Sequence, residues 1–168
     1  MAGTKGNVRQ THASQSNGKD LWLTYLRSGG TIRELRGLSS DQMEAIYHLG
    51  FSHFSIGHYI EALKVFRYLA LLDHHSPRYY LGIGLALHHL HQDAAAIPAL
   101  NYAEKLDSKD PRPSICMTEC FIRLKNRKLA VKALGNAAKI LKVSKGWDEE
   151  RKQARQLKHY LIEPSGRK

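Results

Sequence analysis

From Met43 to about Leu141 the sequence returns on itself every 34 residues, and that period constrains the fold more than any other feature. Asp73-His-His-Ser-Pro77-Arg78 comes back as Asp107-Ser-Lys-Asp-Pro111-Arg112. Gly50 is answered by Gly84, and Leu49 by Ile83. Ala62, Ala96 and Ala130 share one phase, followed at once by Leu63, Ile97 and Val131. Small residues at fixed phases let helices approach closely. A unit this short cannot bury its apolar face alone, so it must stack on copies of itself.

The period is that of tetratricopeptide repeats, helix-turn-helix units whose stack leaves a concave face lined by the first helix of each unit. Helices are expected over residues 41–55 and 59–73, then 77–90 and 93–107, with the third unit from 111 to about 141. Gly57 makes the turn inside the first unit. Ser76-Pro77 and Asp110-Pro111 each place a capping side chain before a proline at the first helical position, where the missing N–H does no harm. Pro98 falls inside the expected second helix of the second unit and predicts a kink or a delayed helix start. The expected fold is all-α, a superhelix of three repeats (43–76, 77–110 and 111–143) within a domain spanning 20–162.

The flanks complete this plan. Residues 1–19 hold almost nothing apolar beyond Val8 and read as a disordered arm; 163–168 read as a tail. Within 20–38, Asp20 is placed to cap a short helix that carries Leu21, Trp22, Tyr25 and Leu26 on one face. Gly29-Gly30 stops it, and Thr31-x-x-Glu34 has the pattern of a capping box. So short an apolar helix is not stable alone and must pack on the repeats or on a second copy. After Gly146, residues 147–162 form an amphipathic helix through Trp147, Ala154, Leu157 and Leu161, a cap for the stack.

Composition excludes several functions. No apolar run approaches the roughly 18 residues of a membrane span, and the first residues lack a secretory core; the expected location is the cytoplasm. Cys116 and Cys120, four apart on one helix, read as reduced and buried. His74-His75, His88-His89-x-His91, His48, His53 and His58 invite a metal, but His88 and His91 share a helical face with no third ligand of fixed spacing, so no metal and no cofactor is expected. No catalytic residue is expected either. An all-helical chain has no strand-turn-helix elbow for a nucleophile, and Gly82-Ile-Gly84 is a helix-packing pair with no strand before it.

Charge is the oddity. Residues 1–122 carry 12 Lys and Arg against 11 Asp and Glu, whereas 123–168 carry 14 against 4, so nearly all of the net +11 sits at the C-terminal end. Arg123, Lys125, Arg127, Lys128, Lys132, Lys139, Lys142, Arg151, Lys152, Arg155 and Lys158 read first as a solvated face. The alternative is an adaptor whose basic end binds a transcription regulator or nucleic acid.

Counting each repeat from Met43, Pro77 and Pro111, the inward phases give Tyr47, Phe51 and Phe54, then Leu81, Leu85 and His88, then Ile115, Glu119 and Ile122. Seven of the nine are apolar or aromatic, which suits an extended peptide with apolar anchors rather than a charged tail. His88 is expected to offer a hydrogen bond to a bound backbone.

The ordered set Gly29-Gly30-Thr31-Ile32, Ser39-Ser40-Asp41, Tyr47, Phe51, Phe54, Gly57-x-Tyr59-x-x-Ala62-x-x-Val65-Phe66, Leu72-Asp73-His74, Pro77 or its neighbour Arg78, Tyr79-Tyr80-Leu81-Gly82-x-Gly84 and Glu119-Cys120 is more specific than the period. Over about residues 20–162 it closely resembles the class II chaperones of bacterial type III secretion, the LcrH/SycD/IpgC family. The resemblance implies a non-enzymatic bacterial cytoplasmic chaperone that holds an extended N-terminal translocator segment, with a proline–leucine–proline type motif, in its groove. It implies client contacts at Tyr47, Phe51 and Phe54, with Arg78 beside them. It also implies a homodimer through Leu21, Trp22, Tyr25 and Leu26, and for some relatives an AraC-type regulator as a further partner. The basic C-terminal end departs from the family, whose members are usually acidic or near neutral.

Overall fold

A computed structural model describes residues 21–162, and every regular element among them is a helix. The expectations placed on the arm 1–19, on Asp20 as a cap and on the tail 163–168 lie outside the described residues. The chain divides into two units, Met1–Leu38 and Ser39–Lys168.

In the first unit, α1 (residues 21–27) ends before Gly29, whose φ of +94° is open to glycine but strained for other residues. The expected capping box starts α2 (Ile32–Leu35): Thr31 Oγ1 accepts from the Glu34 N–H at 3.2 Å, and the Glu34 carboxylate accepts from the Thr31 N–H at 2.8 Å. The Tyr25 hydroxyl donates to the same carboxylate at 2.7 Å. Its ring needs Gly30, since a Cβ there would stand 2.2 Å from Tyr25 Cε1.

The second unit runs α3 (Ser40–Ser55), α4 (Tyr59–Leu72), α5 (Pro77–His89), α6 (Asp93–Leu106), α7 (Arg112–Arg123), α8 (Arg127–Val143) and α9 (Asp148–Ile162). Each helix packs on the next, and α3 also touches α5, α5 touches α7 and α7 touches α9. The odd-numbered helices therefore form one row and α4, α6 and α8 the other. In this row α9 stands where the first helix of a further repeat would stand. Its Gln153 donates to Glu119 at 2.8 Å, 34 residues back, just as Arg78 on α5 reaches back 34 residues to Glu44 at 3.0 Å.

Close packing explains the repeated small residues. Ala62, Ala96 and Ala130 are wholly buried. The Phe66 ring lies between two glycines, 3.0 Å from where a Cβ on Gly50 would be and 2.8 Å from one on Gly82. The following apolar triplet diverges: Leu63 is 8% exposed but Val131 is 52% exposed.

Two local expectations are corrected. Ser76 precedes α5 without a side-chain cap, whereas Asp110 Oδ1 does accept from the Arg112 N–H at 2.9 Å, across a Pro111 whose φ of −78° and ψ of −17° are already helical ahead of α7. Near Pro98 the helix start is not delayed, since α6 begins at Asp93 and continues through it. Ala94, whose carbonyl has no N–H to accept from at Pro98, is exposed along with the proline, and water can serve that carbonyl.

Candidate functional site

The odd-numbered row carries the expected inward residues. On α3, Tyr47 is half-buried, its ring centroid 5.8 Å from Phe66 and 6.2 Å from Tyr79. Arg78, at the start of α5, stacks its guanidinium 3.8 Å over the Tyr47 ring and donates through both terminal nitrogens to Glu44 at 3.0 Å. One turn on, Phe51 is 53% exposed. Phe54 is half-buried against Tyr59 and His89, with centroids 5.3 and 5.2 Å away, and those two rings stack on each other at 4.5 Å. The trio is thus two braced rings, Tyr47 and Phe54, in separate aromatic clusters, with the exposed Phe51 between them along α3.

Further along the row the side chains sink. Leu81 and Ile115 are only 5% and 2% exposed, so they floor the row from within the core; Leu85 and Ile122 are half-buried. The apolar continuity of the row comes mainly from α3, Leu85 and Ile122.

His88 ends the row in a polar node. Its Nδ1 lies 2.8 Å from Asp93 Oδ1 and 3.4 Å from Cys120 Sγ, and its Nε2 lies 3.4 Å from Glu119 Oε2. Arg123 donates through Nε to Asp93 Oδ2 at 2.6 Å and through its other nitrogens to the His88 carbonyl and toward His91 Nδ1. The Cys120 sulfur, Glu119 and Asp93 raise His88 to about 10 against the opposing effect of burial. Burial pushes the Asp93 and Glu119 carboxyls up, but Arg123 and His88 on the first, and His88 and Gln153 on the second, bring both below the ordinary value. Both His88 nitrogens are thereby committed within the protein, which corrects the expectation that this ring is available to a bound backbone.

The node also corrects the expectation that His88 has no third ligand. One of its ring nitrogens and the Cys116 and Cys120 sulfurs lie within 4.8 Å of one another, a donor set of the zinc type. The Arg123 guanidinium nevertheless stands 3.1 Å from His88 Nδ1, where a dication would meet a fixed positive charge. Cys116 and Cys120 are buried free thiols, as their spacing suggested. Neither Asp93 nor Arg123 was singled out for this node by sequence. One reads as an acid in the first turn of a helix and the other as part of the basic end, and no period joins them.

In the first unit, Leu21 and Trp22 are 71% and 54% exposed, and with Tyr25 and Leu35 they line a hollow of about 410 Å³. Tyr25 and Leu26 are half-buried. No helix among the described residues is long and apolar enough to cross a membrane.

No family model matches the chain. Low calcium response locus protein H of Yersinia pestis is 37% identical over 100 residues, a match spanning 60% of this chain and 60% of that protein's own length. The Yersinia enterocolitica type III secretion translocator chaperone SycD superposes with a TM-score of 0.73 at 30% identity, covering 77% of this chain and 98% of SycD. SycD in complex with a peptide of the translocator YopD superposes with a TM-score of 0.70 at 28% identity, covering 74% of this chain and 95% of that one. With the repeat, the helical row and SycD matched over nearly its whole length, the chain belongs to the class II translocator chaperone family of type III secretion.

Proposed function

We propose that the protein is a bacterial cytoplasmic chaperone that holds an extended N-terminal segment of type III secretion translocators along its odd-numbered row, keeping them soluble and separate before export. The functional unit is residues 20–162, with repeats at 43–76, 77–110 and 111–143, capped by 147–162. One observation carries the reading: α3 leaves Phe51 open to solvent between Tyr47 and Phe54, each braced by other rings, and the half-buried Leu85 and Ile122 continue the row. That is how an apolar peptide anchor is held, by open rings on a rigid base. SycD, the relative matched above, binds a peptide of the translocator YopD. Leu21, Trp22, Tyr25 and Leu26 serve a homodimer in this reading, since so short a helix with exposed Leu and Trp needs a second surface to cover it.

The test is co-expression with the translocators encoded beside the gene. A soluble chaperone–translocator complex that Phe51→Ala weakens supports the reading. A complex of undiminished affinity in a Tyr47/Phe51/Phe54 triple alanine variant that remains folded by circular dichroism would remove the groove from it.

A further inference from the structure

The basic C-terminal end is left unexplained by client binding. It borders a groove. Between α8 and α9 two adjoining hollows of about 540 and 230 Å³ run along the surface, and a third of about 370 Å³ continues them past the α7–α8 turn, where Ile122 of the client row and Lys125 line it. Their floor is apolar, built from Val131, Leu134, Ala138 and Leu161, with Ile162 64% exposed at one end. Their rim is basic: Lys125, Arg127, Lys142, Arg151, Arg155 and Lys158 line it, and no carboxylate does so among the described residues. Of these six cations only Arg151 forms an ion pair among the described residues, with Asp148 at 3.1 Å.

The origin of the groove lies in the repeat. Because α9 occupies the place of a fourth first helix, the stack of described helices stops one helix short, and no described residue fills the place where a fourth second helix would pack on α9 beside α8. Exposure along the 34-residue triplet records this: Leu63 is 8% exposed under the helices that follow it, and Val131, with no described helix beyond α9, is 52% exposed. A solenoid end is ordinarily finished with a polar outer face. This one is apolar between two charged walls.

We propose that this groove binds an amphipathic helix with acidic flanks supplied by a protein partner, seated where the second helix of a fourth repeat would lie. An apolar stripe at i, i+3, i+4 and i+7 fits the floor, and Asp or Glu on either side meets the lysines and arginines of the rim. The stretches of this sequence outside the repeats do not have that composition: α1 exposes Leu21 and Trp22 but carries Arg27 and no carboxylate. Residues 1–19 carry Lys5, Arg9 and Lys19 and no carboxylate, and 163–168 read Glu-Pro-Ser-Gly-Arg-Lys, without an apolar stripe. The same end of a second copy would meet the rim with like charge, since residues 123–168 carry 14 Lys and Arg against 4 Asp and Glu. Placement on α8 agrees: its first turn holds Arg127 and Lys128 and no acid, the unfavourable sign for a helix N-terminus unless an outside anion is near.

The probe is a labelled 18-residue peptide with leucines at that helical spacing and glutamates beside them, titrated by fluorescence anisotropy into the full-length protein at about 150 mM salt, where loose surface attraction is screened within about 8 Å. Saturable binding is expected. It should weaken at least tenfold for Arg127→Glu/Lys158→Glu and for Val131→Asp, all at exposed positions, and be unchanged for Phe51→Ala. A scrambled peptide of the same charge, and one with lysine in place of glutamate, should not saturate. Equal binding of the scrambled peptide, or no loss in the groove variants, would overturn the proposal. Preferential binding of duplex DNA at the same salt, lost in the charge-reversed variant, would overturn it in favour of a nucleic-acid site.

Discussion

Arg78 holds its guanidinium 3.8 Å above the ring of Tyr47, and the two residues sit on different repeats. The same arginine is tied by both terminal nitrogens to Glu44, one turn before Tyr47 on α3. Position 78 thereby joins α5 to α3 at the point where the aromatic row begins. Its equivalent 34 residues on, Arg112, reaches toward the Trp147 ring at 5.5 Å. The arginine clasp therefore recurs at the other end of the stack with a different aromatic.

Replacing Arg78 with lysine keeps the charge but loses the planar fork and the stacking surface. The pair is exposed, so little change in thermal midpoint is expected. The ring of Tyr47 should become less fixed. Affinity for a translocator N-terminal peptide is expected to fall about threefold, the equivalent of a cation–π contact of roughly 0.5–1 kcal/mol. Calorimetric titration of wild type and variant decides it, and unchanged affinity would separate the clasp from the groove.

Two glycine substitutions should move stability in opposite directions. Gly84→Ala places a Cβ 2.4 Å from Leu100, a side chain with no exposure and so no room to withdraw. It is expected to destabilise by about 1–3 kcal/mol. Gly135, on α8, has nothing within 4 Å of the added Cβ and an ordinary helical φ. Gly135→Ala should therefore stabilise by about 0.5–1 kcal/mol through helix propensity alone. Urea unfolding of the two proteins checks the sign of each, and the same sign in both would refute the close-packing account of Gly84.

This difference between glycines shows what the sequence made legible. Gly50 and Gly84 stand at one repeat phase, and packing enforces that phase, so their role can be read from spacing. Depth is not periodic in the same way. Phe51, Leu85 and Glu119 share a phase, yet Phe51 is exposed while Leu81 and Ile115, one turn earlier in the next two repeats, are buried. Within their unit α3 has one neighbour in its row, whereas α5 and α7 are flanked on both sides. The His88 node escaped for another reason. Its partners Asp93 and Arg123 are 30 residues apart and occupy no common phase, so only the folded backbone brings them together.

That node predicts a pH dependence. His88 is raised to about 10 from an ordinary value near 6.5 by Cys120, Glu119 and Asp93, which together outweigh its burial. A folded-state value above the unfolded one means that the contribution is complete below about pH 6.5 and is lost as pH rises toward the folded value. Unfolding free energies of the wild-type and His88→Gln proteins, both with Cys120 in place, should differ most at low pH. The gap should narrow above about pH 6.5. A gap that widens with pH would mean that His88 is held neutral, and the carboxylates around it would need another account.

The row itself can be divided by experiment into surface and floor. Phe51 is 53% exposed, so Phe51→Ala removes little buried area and should change stability by no more than about 0.5 kcal/mol. As the open ring of the trio it should still reduce client affinity about tenfold or more. Leu81 and Ile115, at 5% and 2% exposure, behave as core. Leu81→Ala and Ile115→Ala each leave a cavity and should destabilise by about 2–5 kcal/mol. Their effect on client affinity, measured well below the unfolding transition, should be smaller than that of Phe51→Ala. Stability from urea unfolding and affinity from peptide titration separate the two classes. Should Leu81→Ala cost more affinity than Phe51→Ala while remaining folded, the client would have to reach below the surface described, and α5 and α7 would have to part to admit it.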